Sequence, residues 1–268
     1  MRGDIVEALF KPMPSMVVAH YLGVPEGERE RFDDWTDAIV SASSEGAIGA
    51  ATDAIVEMMG YFSELIERRR AEPGDDTVSH LVAAGVGDDD AGILSILSYV
   101  FTVVTGGNDT TTGMLGGAVQ LLETERDQRR LLLDDPALVP DAVEELLRLT
   151  SPVQGLARTV TTEVELHDSV IAAGRRVLLL YAAANRDPRR YGPDADELDV
   201  RRRPGQLLTF SQGNHHCLGA AAARLQARVA LEELLARCPE FTVDLDAVQW
   251  APGPYVRRPT TVPIRMKP

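Results

Sequence analysis

Between Asp90 and Asp109 the chain runs for 18 residues, Ala91 to Asn108, without a charge. A run of that length is the minimum for crossing a bilayer core, so it forces a choice between a membrane span and a long helix covered by other protein. Ser, Thr, Gly and Asn interrupt the run, and aspartates stand at its ends where Lys or Arg would mark a span. A helix buried in protein, with no membrane, is the expectation. Such a helix needs amphipathic partners. Segments near 4–10, 14–22, 26–43, 51–71, 90–122, 125–133 and 137–149 supply them, with apolar residues at i, i+3, i+4 and Gly or Pro at several joints.

After Pro152 the texture changes. Short β-favouring pieces at 157–160, 164–166 and 176–179 alternate with turns, a loop of Arg, Pro, Asp and Gly spans 185–205, and a final helix covers roughly 217–237. Strand candidates follow near 241–243 and 262–265. Neither an internal repeat nor a low-complexity linker breaks the chain, so residues 1–268 are expected to form a single domain, mainly α with small β-sheets (α+β). The long loop implies ordering by packing or by function. A net charge of −14 excludes a broad nucleic-acid surface, which needs a strongly basic field. Cys217 and Cys238 are too few for a disulfide framework, and the N-terminus lacks a secretory apolar core with a basic flank, so a cytoplasmic location is expected.

Four places give up stability. Gly106 and Gly107 sit mid-helix at about 1 kcal/mol each relative to Ala, followed by the β-branched Thr110, Thr111 and Thr112. The Thr110 hydroxyl is placed to bond the Gly106 carbonyl and loosen the ladder. The result is either a groove with a polar lining, with Asp109 beside it as a proton carrier, or a helix crossing with a kink. Glu145 and Arg148 in E-L-L-R share one helix face, which matters only if the pair is buried and joined by a further Arg from 201–203. Arg158 enters a strand-like stretch; it is either a solvated side chain or, if inward, a guanidinium seeking an anion.

The fourth place is F-S-Q-G-N-H-H-C-L-G at 210–219. Gly213 and Gly219 are expected to permit unusual backbone angles around Cys217, and the following helix to aim free N–H groups at its sulfur and lower the thiol pKa. A thiolate is a nucleophile or a metal ligand. His215, His216 and Cys217 are consecutive and cannot all converge on one tetrahedral zinc, and a neighbouring His is poorly placed as a base. Cys238, before Pro239, reads as a small core residue.

Together, this loop, G-G-N-D-T-T at 106–111, E-L-L-R at 145–148 and A-A-N-R-D-P at 183–188 resemble, in order and approximate spacing, the cytochrome P-450 family of soluble bacterial haem-thiolate monooxygenases. The resemblance implies that Cys217 is the proximal ligand of the iron of haem b (iron protoporphyrin IX), pushing electron density onto the metal. It implies that Asp109 and Thr110 manage proton delivery to bound dioxygen, while Gly106 and Gly107 leave room for it. Arg158 and His215 would hold the propionates, Phe210 would pack near the sulfur, and Gly219 belongs to the same cofactor loop. Glu145, Arg148 and Arg202 would form a structural charge cluster.

The implied reaction inserts one oxygen atom into a small apolar organic substrate. Electrons come from NAD(P)H only indirectly, through ferredoxin reductase and a ferredoxin, since the chain has neither a G-x-G-x-x-G after a strand nor a Walker loop. The ferredoxin is expected on an Arg-rich face near Cys217, with Arg189, Arg190, Arg224 and Arg228 as contributors, and the protein is expected to be a monomer. Ser211 stands where many members have Gly, and Leu207 where bacterial members often have His. The resemblance begins at about Gly3 and leaves the N-terminal third of a usual member unmatched. A relic that binds haem weakly or not at all is therefore the alternative reading.

Overall fold

The computed structural model describes residues 2–44, 47–253 and 255–267. A strand β1 (Arg2–Asp4) and a π-helical turn (Val6–Phe10) lead into α1 (Pro12–Leu22), α2 (Arg29–Ser44), α3 (Thr52–Ala71), α4 (Thr77–Ala83), α5 (Asp90–Thr124), α6 (Arg126–Asp134) and α7 (Val139–Thr150). The α-helix expected over 4–10 is thus replaced by a strand and a π turn. The cause is Asp4, whose carboxylate accepts from the amides of Val6 and Val262 and so ties the entry to the C-terminal sheet. Helix α4 escaped the periodicity because it is only two turns long; its sequence mark is the cap Asp76, which accepts from the Ser79 amide. Helix α5 starts in the same way, with Asp89 accepting from the Gly92 amide.

Beyond Pro152 the expected small sheets are present. Strands β2 (Leu156–Thr159) and β5 (Arg176–Leu179) pair antiparallel, and β3 (Val164–Leu166) and β4 (Ser169–Ile171) form a hairpin. A short helix α8 (Tyr181–Ala184) leads into the stretch read as loop, and a second, α9 (Pro188–Tyr191), occupies part of it. Helix α10 (Ala220–Arg237) begins three residues later than expected, so Cys217 precedes the helix rather than opening it. Then come β6 (Glu240–Val243), β7 (Gln249–Trp250), β8 (Pro259–Thr261) and β9 (Pro263–Lys267). β1, β9 and β6 form a three-stranded antiparallel sheet with β9 central, and β7 pairs with β8.

Two apolar cores result, and α5 belongs to both. Ile96, Val100 and Val104 pack with α1, α2 and α3 through residues such as Leu22, Phe32, Trp35 and Phe62. Met114, Leu115, Ala118, Val119 and Leu122 pack instead with α7, α10 and the three-stranded sheet. The charge-free run is buried only along one stripe, Ile96, Val100, Val104 and Asn108, while Leu94 on another side is 64% exposed. By length and composition α5 is apolar enough to cross a membrane. All-round burial starts only at Thr111, beyond the charge-free run, so the expected burial of 91–108 is corrected to one face of that run. Residues 106–110 fall between the two cores.

Candidate functional site

The predicted Thr110 contact is present, within an α5 that stays helical from Asp90 to Thr124. The Thr110 hydroxyl donates to the Gly106 carbonyl at 2.8 Å. A Cβ built on Gly106 would meet nothing within 4 Å, whereas one on Gly107 would come to 3.0 Å of Val18 Cγ2 on α1. The two glycines therefore differ: Gly107 admits a neighbouring helix, and Gly106 leaves open space. Asn108 is buried and donates to the Val104 carbonyl at 2.8 Å.

Asp109 has a partner that its sequence neighbourhood does not announce. Arg258 Nε lies 2.6 Å from its carboxylate, with both side chains nearly buried. The approach is prepared at Gly113, where an added Cβ would meet the Arg257 carbonyl at 2.8 Å and Arg258 Cβ at 3.3 Å. The 256–258 stretch is held there by an isolated bridge between Val153 and Val256 and by the Arg257 amide donating to the Pro152 carbonyl. Burial raises the Asp109 pKa, Arg258 pulls it down, and the negative charge of Asp37 on α2 raises it further; the net shift is upward.

The Cys217 loop is anchored from behind. Asn185, fully buried, donates to Ser151 Oγ and Thr209 Oγ1 at 2.8 and 2.9 Å and accepts from the Leu208 amide at 2.8 Å. Thr209 in turn donates to the Leu147 carbonyl, so the end of α7 and the start of the loop are one unit. Asn185, Tyr181 and Ser211 are contributors that residue-type reasoning missed, although Asn185 lies in the quoted A-A-N-R-D-P. Beneath them Glu145 and Arg148, both without exposed side-chain surface, form a two-pronged pair at 2.7 and 2.8 Å. Arg202 completes the cluster at 3.1 Å from Glu145, as expected. Arg148 also donates to the carbonyls of Asn185 and Ala195, which explains how the 185–205 stretch is ordered.

Within the loop the turn is made by Ser211 (φ 59°) and Gly213 (φ 65°), and the Cys217 amide closes it on the Phe210 carbonyl at 2.8 Å. Gly219 has an ordinary φ of −84°, which corrects the expectation that it supplies unusual angles. Ser211, a non-glycine in left-handed backbone, is steadied by the Tyr181 hydroxyl 3.1 Å from its Oγ. Tyr181 also accepts from Arg158 at 3.4 Å, so Arg158 on β2 reaches the loop through one phenol. Phe210 is buried under the Arg224 guanidinium at 4.5 Å.

The Cys217 thiol differs from expectation. Its pKa is raised: desolvation by the surrounding loop outweighs the Gly219 amide and the positive charge of Arg224. The helix begins too late to aim several N–H groups at the sulfur, and Arg224 is largely satisfied by Glu144 at 2.5 and 3.0 Å. The loop alone therefore gives no net lowering of the thiol pKa; a bound cation of high charge would draw the proton off.

These residues suit a haem. The donor set is a free thiol in an exposed loop, together with a guanidinium, Arg158, and an imidazole, His215, that pair with no carboxylate among the described residues. Exposed apolar side chains, Leu218 in the loop and Leu179 and Leu180 after β5, provide surface for a flat apolar group. Of the four arginines expected on a partner-facing surface, Arg189, Arg224 and Arg228 already pair with Asp187, Glu144 and Glu232.

The sequence model of the family "Cytochrome P-450" matches residues 118–249. Cytochrome P-450 130 of Mycobacterium tuberculosis is 67% identical over 267 residues, covering 98% of this chain and 66% of that protein. The steroid C26-monooxygenase of Mycolicibacterium smegmatis is 34% identical over 270 residues, covering 99% of this chain and 67% of the relative. A solved cytochrome P-450 from Chondromyces apiculatus superposes with a TM-score of 0.89 at 37% identity, covering 99% of this chain and 67% of the other. The chain thus spans about two thirds of the length of the proteins it matches.

Proposed function

This chain belongs to the cytochrome P-450 family, and we propose that it forms the haem-binding, oxygen-activating part of a monooxygenase, with residues 1–268 as one domain. The reading is carried by one observation: the thiol loop is built complete, with the Cys217 amide closed on Phe210 and the whole turn tied to α7 through Asn185 and Thr209. A rigid mount for a single sulfur is what a metal-ligating thiol requires.

When bound, haem b supplies an iron that activates dioxygen. Cys217 would be its ligand through Sγ, with the Gly219 amide and Arg224 offsetting the thiolate charge. Arg158 and His215 would hold the propionates by charge-assisted hydrogen bonds, Arg158 being braced by Tyr181. Phe210 would back the loop near the sulfur. On α5, Gly106 keeps a side chain out of the space beside the helix, and Gly107 lets α1 support it. Asp109 is the proton carrier: its raised pKa brings its carboxyl nearer to exchanging a proton at working pH. Thr110, whose hydroxyl proton is engaged by the Gly106 carbonyl, presents its oxygen lone pairs as an acceptor.

The substrate class is a small apolar organic molecule, supported by the neutral or apolar character of residues 100–107 and 153–156 and by a relative named for a steroid. Reducing equivalents would come from NAD(P)H through ferredoxin reductase and a ferredoxin. With three of the four proposed docking arginines paired internally, Arg190 is the basic side chain left most available on that face. A monomer in the cytoplasm is the working form under this reading.

The test is the absorption spectrum of the purified chain reconstituted with haem, reduced and exposed to carbon monoxide. A thiolate-type Soret shift, abolished in Cys217→Ala, supports the reading. Failure to take up haem overturns it in favour of a relic.

A further inference from the structure

Asp109 is the acid on which the proposed reading relies, and its electrostatic surroundings extend past Arg258. Three residues along α5, Thr112 is buried and donates to the Phe10 carbonyl at 2.8 Å, a bond between residues 102 apart. It fixes the junction of the π turn and α1 against α5. Lys11 follows directly, reaching Asp37 of α2 at 2.8 Å and Glu7 at 3.9 Å. Charges from separate segments therefore collect around one turn of α5. Arg258 attracts Asp109, Asp37 repels its negative form, and Lys11 neutralises Asp37 while feeling the positive field of Arg258. Glu7 touches this group only through Lys11, and the nearby Asp33 is engaged by Ser15 at 2.5 Å.

We propose that Arg258 is a positioning residue for Asp109, and that Lys11 and Asp37 form an outer ion pair through which the α1–α2 side of the molecule tunes the charge on that acid. Across the 2.6 Å contact the attraction of Arg258 for Asp109 is mainly coulombic, with a smaller hydrogen-bond contribution, so most of it varies smoothly with distance and charge. Asp37 and Lys11 are about half exposed, so their influence is screened by salt, whereas that of Arg258 is sheltered. The outer pair acts by near-cancellation: opposite charges 2.8 Å apart leave Asp109 a small residual field, and removing either one unmasks the other. The inference deepens the reading above, because it assigns what governs that reading's proton carrier.

The experiment is a carboxyl-carbon NMR titration of Asp109 in the 268-residue chain, which needs no bound haem. Arg258→Gln is expected to move the midpoint upward by about one unit or more, the effect of losing an opposite charge at close range. Arg258→Lys, which keeps the charge, is expected to hold it near native and guards against misfolding of the Gln variant. Asp37→Asn is expected to lower the midpoint and Lys11→Met to raise it, with both effects fading at high salt. An unmoved midpoint in Arg258→Gln, or in both Asp37→Asn and Lys11→Met at low salt, overturns the proposal. The full pattern of shifts in a chain that gives no carbon monoxide spectrum supports the charge network and sinks the monooxygenase reading alone.

Discussion

Replacing Arg148 by Met removes a cation that cannot be replaced by water. Its guanidinium, with no exposed surface, gives two hydrogen bonds to Glu145, one each to the carbonyls of Asn185 and Ala195, and a longer one of 3.4 Å to the carbonyl of Glu197. Without it, Glu145 keeps only Arg202 at 3.1 Å and the Asp199 amide at 3.3 Å. Breaking a buried pair in this way costs about 3 to 5 kcal/mol, a large part of the roughly 5 to 15 kcal/mol that holds a domain folded. The double variant Glu145→Leu/Arg148→Met removes both charges. What remains unsatisfied there is the carbonyls of Asn185, Ala195 and Glu197 and the Asp199 amide, at about 1 to 3 kcal/mol per buried group, while Arg202 retains Asp194 and the Tyr191 carbonyl. The double variant should therefore be more stable than the sum of the singles by about 2 kcal/mol or more, within the range measured for contacting pairs. Urea denaturation of all four proteins measures it. Single variants that each cost under about 1 kcal/mol, or strictly additive losses, would refute the picture of a dry, mutually dependent pair.

Ser211→Gly should be close to neutral in thermal denaturation, since relief of about 1 to 2 kcal/mol of left-handed strain offsets loss of a Tyr181 hydrogen bond of about 0.5 to 1.5 kcal/mol. Ser211→Ala keeps the strain and loses the bond, so it should be the less stable of the two. Gly106→Ala should raise stability by about 0.5 to 1 kcal/mol because its methyl meets nothing, while Gly107→Ala gains less because Val18 must move. Asp109 holds its proton more tightly folded than unfolded, so its contribution is fully present below its ordinary pKa of 3.8 and is lost as pH rises through the raised folded value. Melting temperatures of the native chain minus those of Asp109→Asn should accordingly fall with pH across that window and level off above it.

Much of this was legible locally. The hydroxyl of Thr110 on the Gly106 carbonyl is an i, i+4 contact, and the 145/148 pair lies within one helical turn, so helix geometry alone predicts both. The pairing of Asp109 with Arg258 was not legible, because the two are separated by 149 positions (258 − 109) and Arg257 is an equally plausible candidate by sequence. Which of the adjacent arginines turns inward is decided by the bridge at Val256 and by the close approach at Gly113, while Arg257 stacks over Trp250 at 4.1 Å. The thiol was misjudged for a related reason. Its expected activation assumed a helix starting at Cys217, and a start three residues later turns the balance from dipole to desolvation. The left-handed Ser211 has no signature in residue type, since its conformation follows from the turn that Gly213 completes.

Helix α5 contributes Ile96 through Val104 to one core and Met114 through Leu122 to the other, with residues 106–110 claimed by neither. The apolar packing and the proposed chemistry thereby fall on different turns of a single rod. The middle turns are outside both apolar cores, yet any tilt of one end is felt at the other, so this stretch is held firmly in place by packing it does not itself supply.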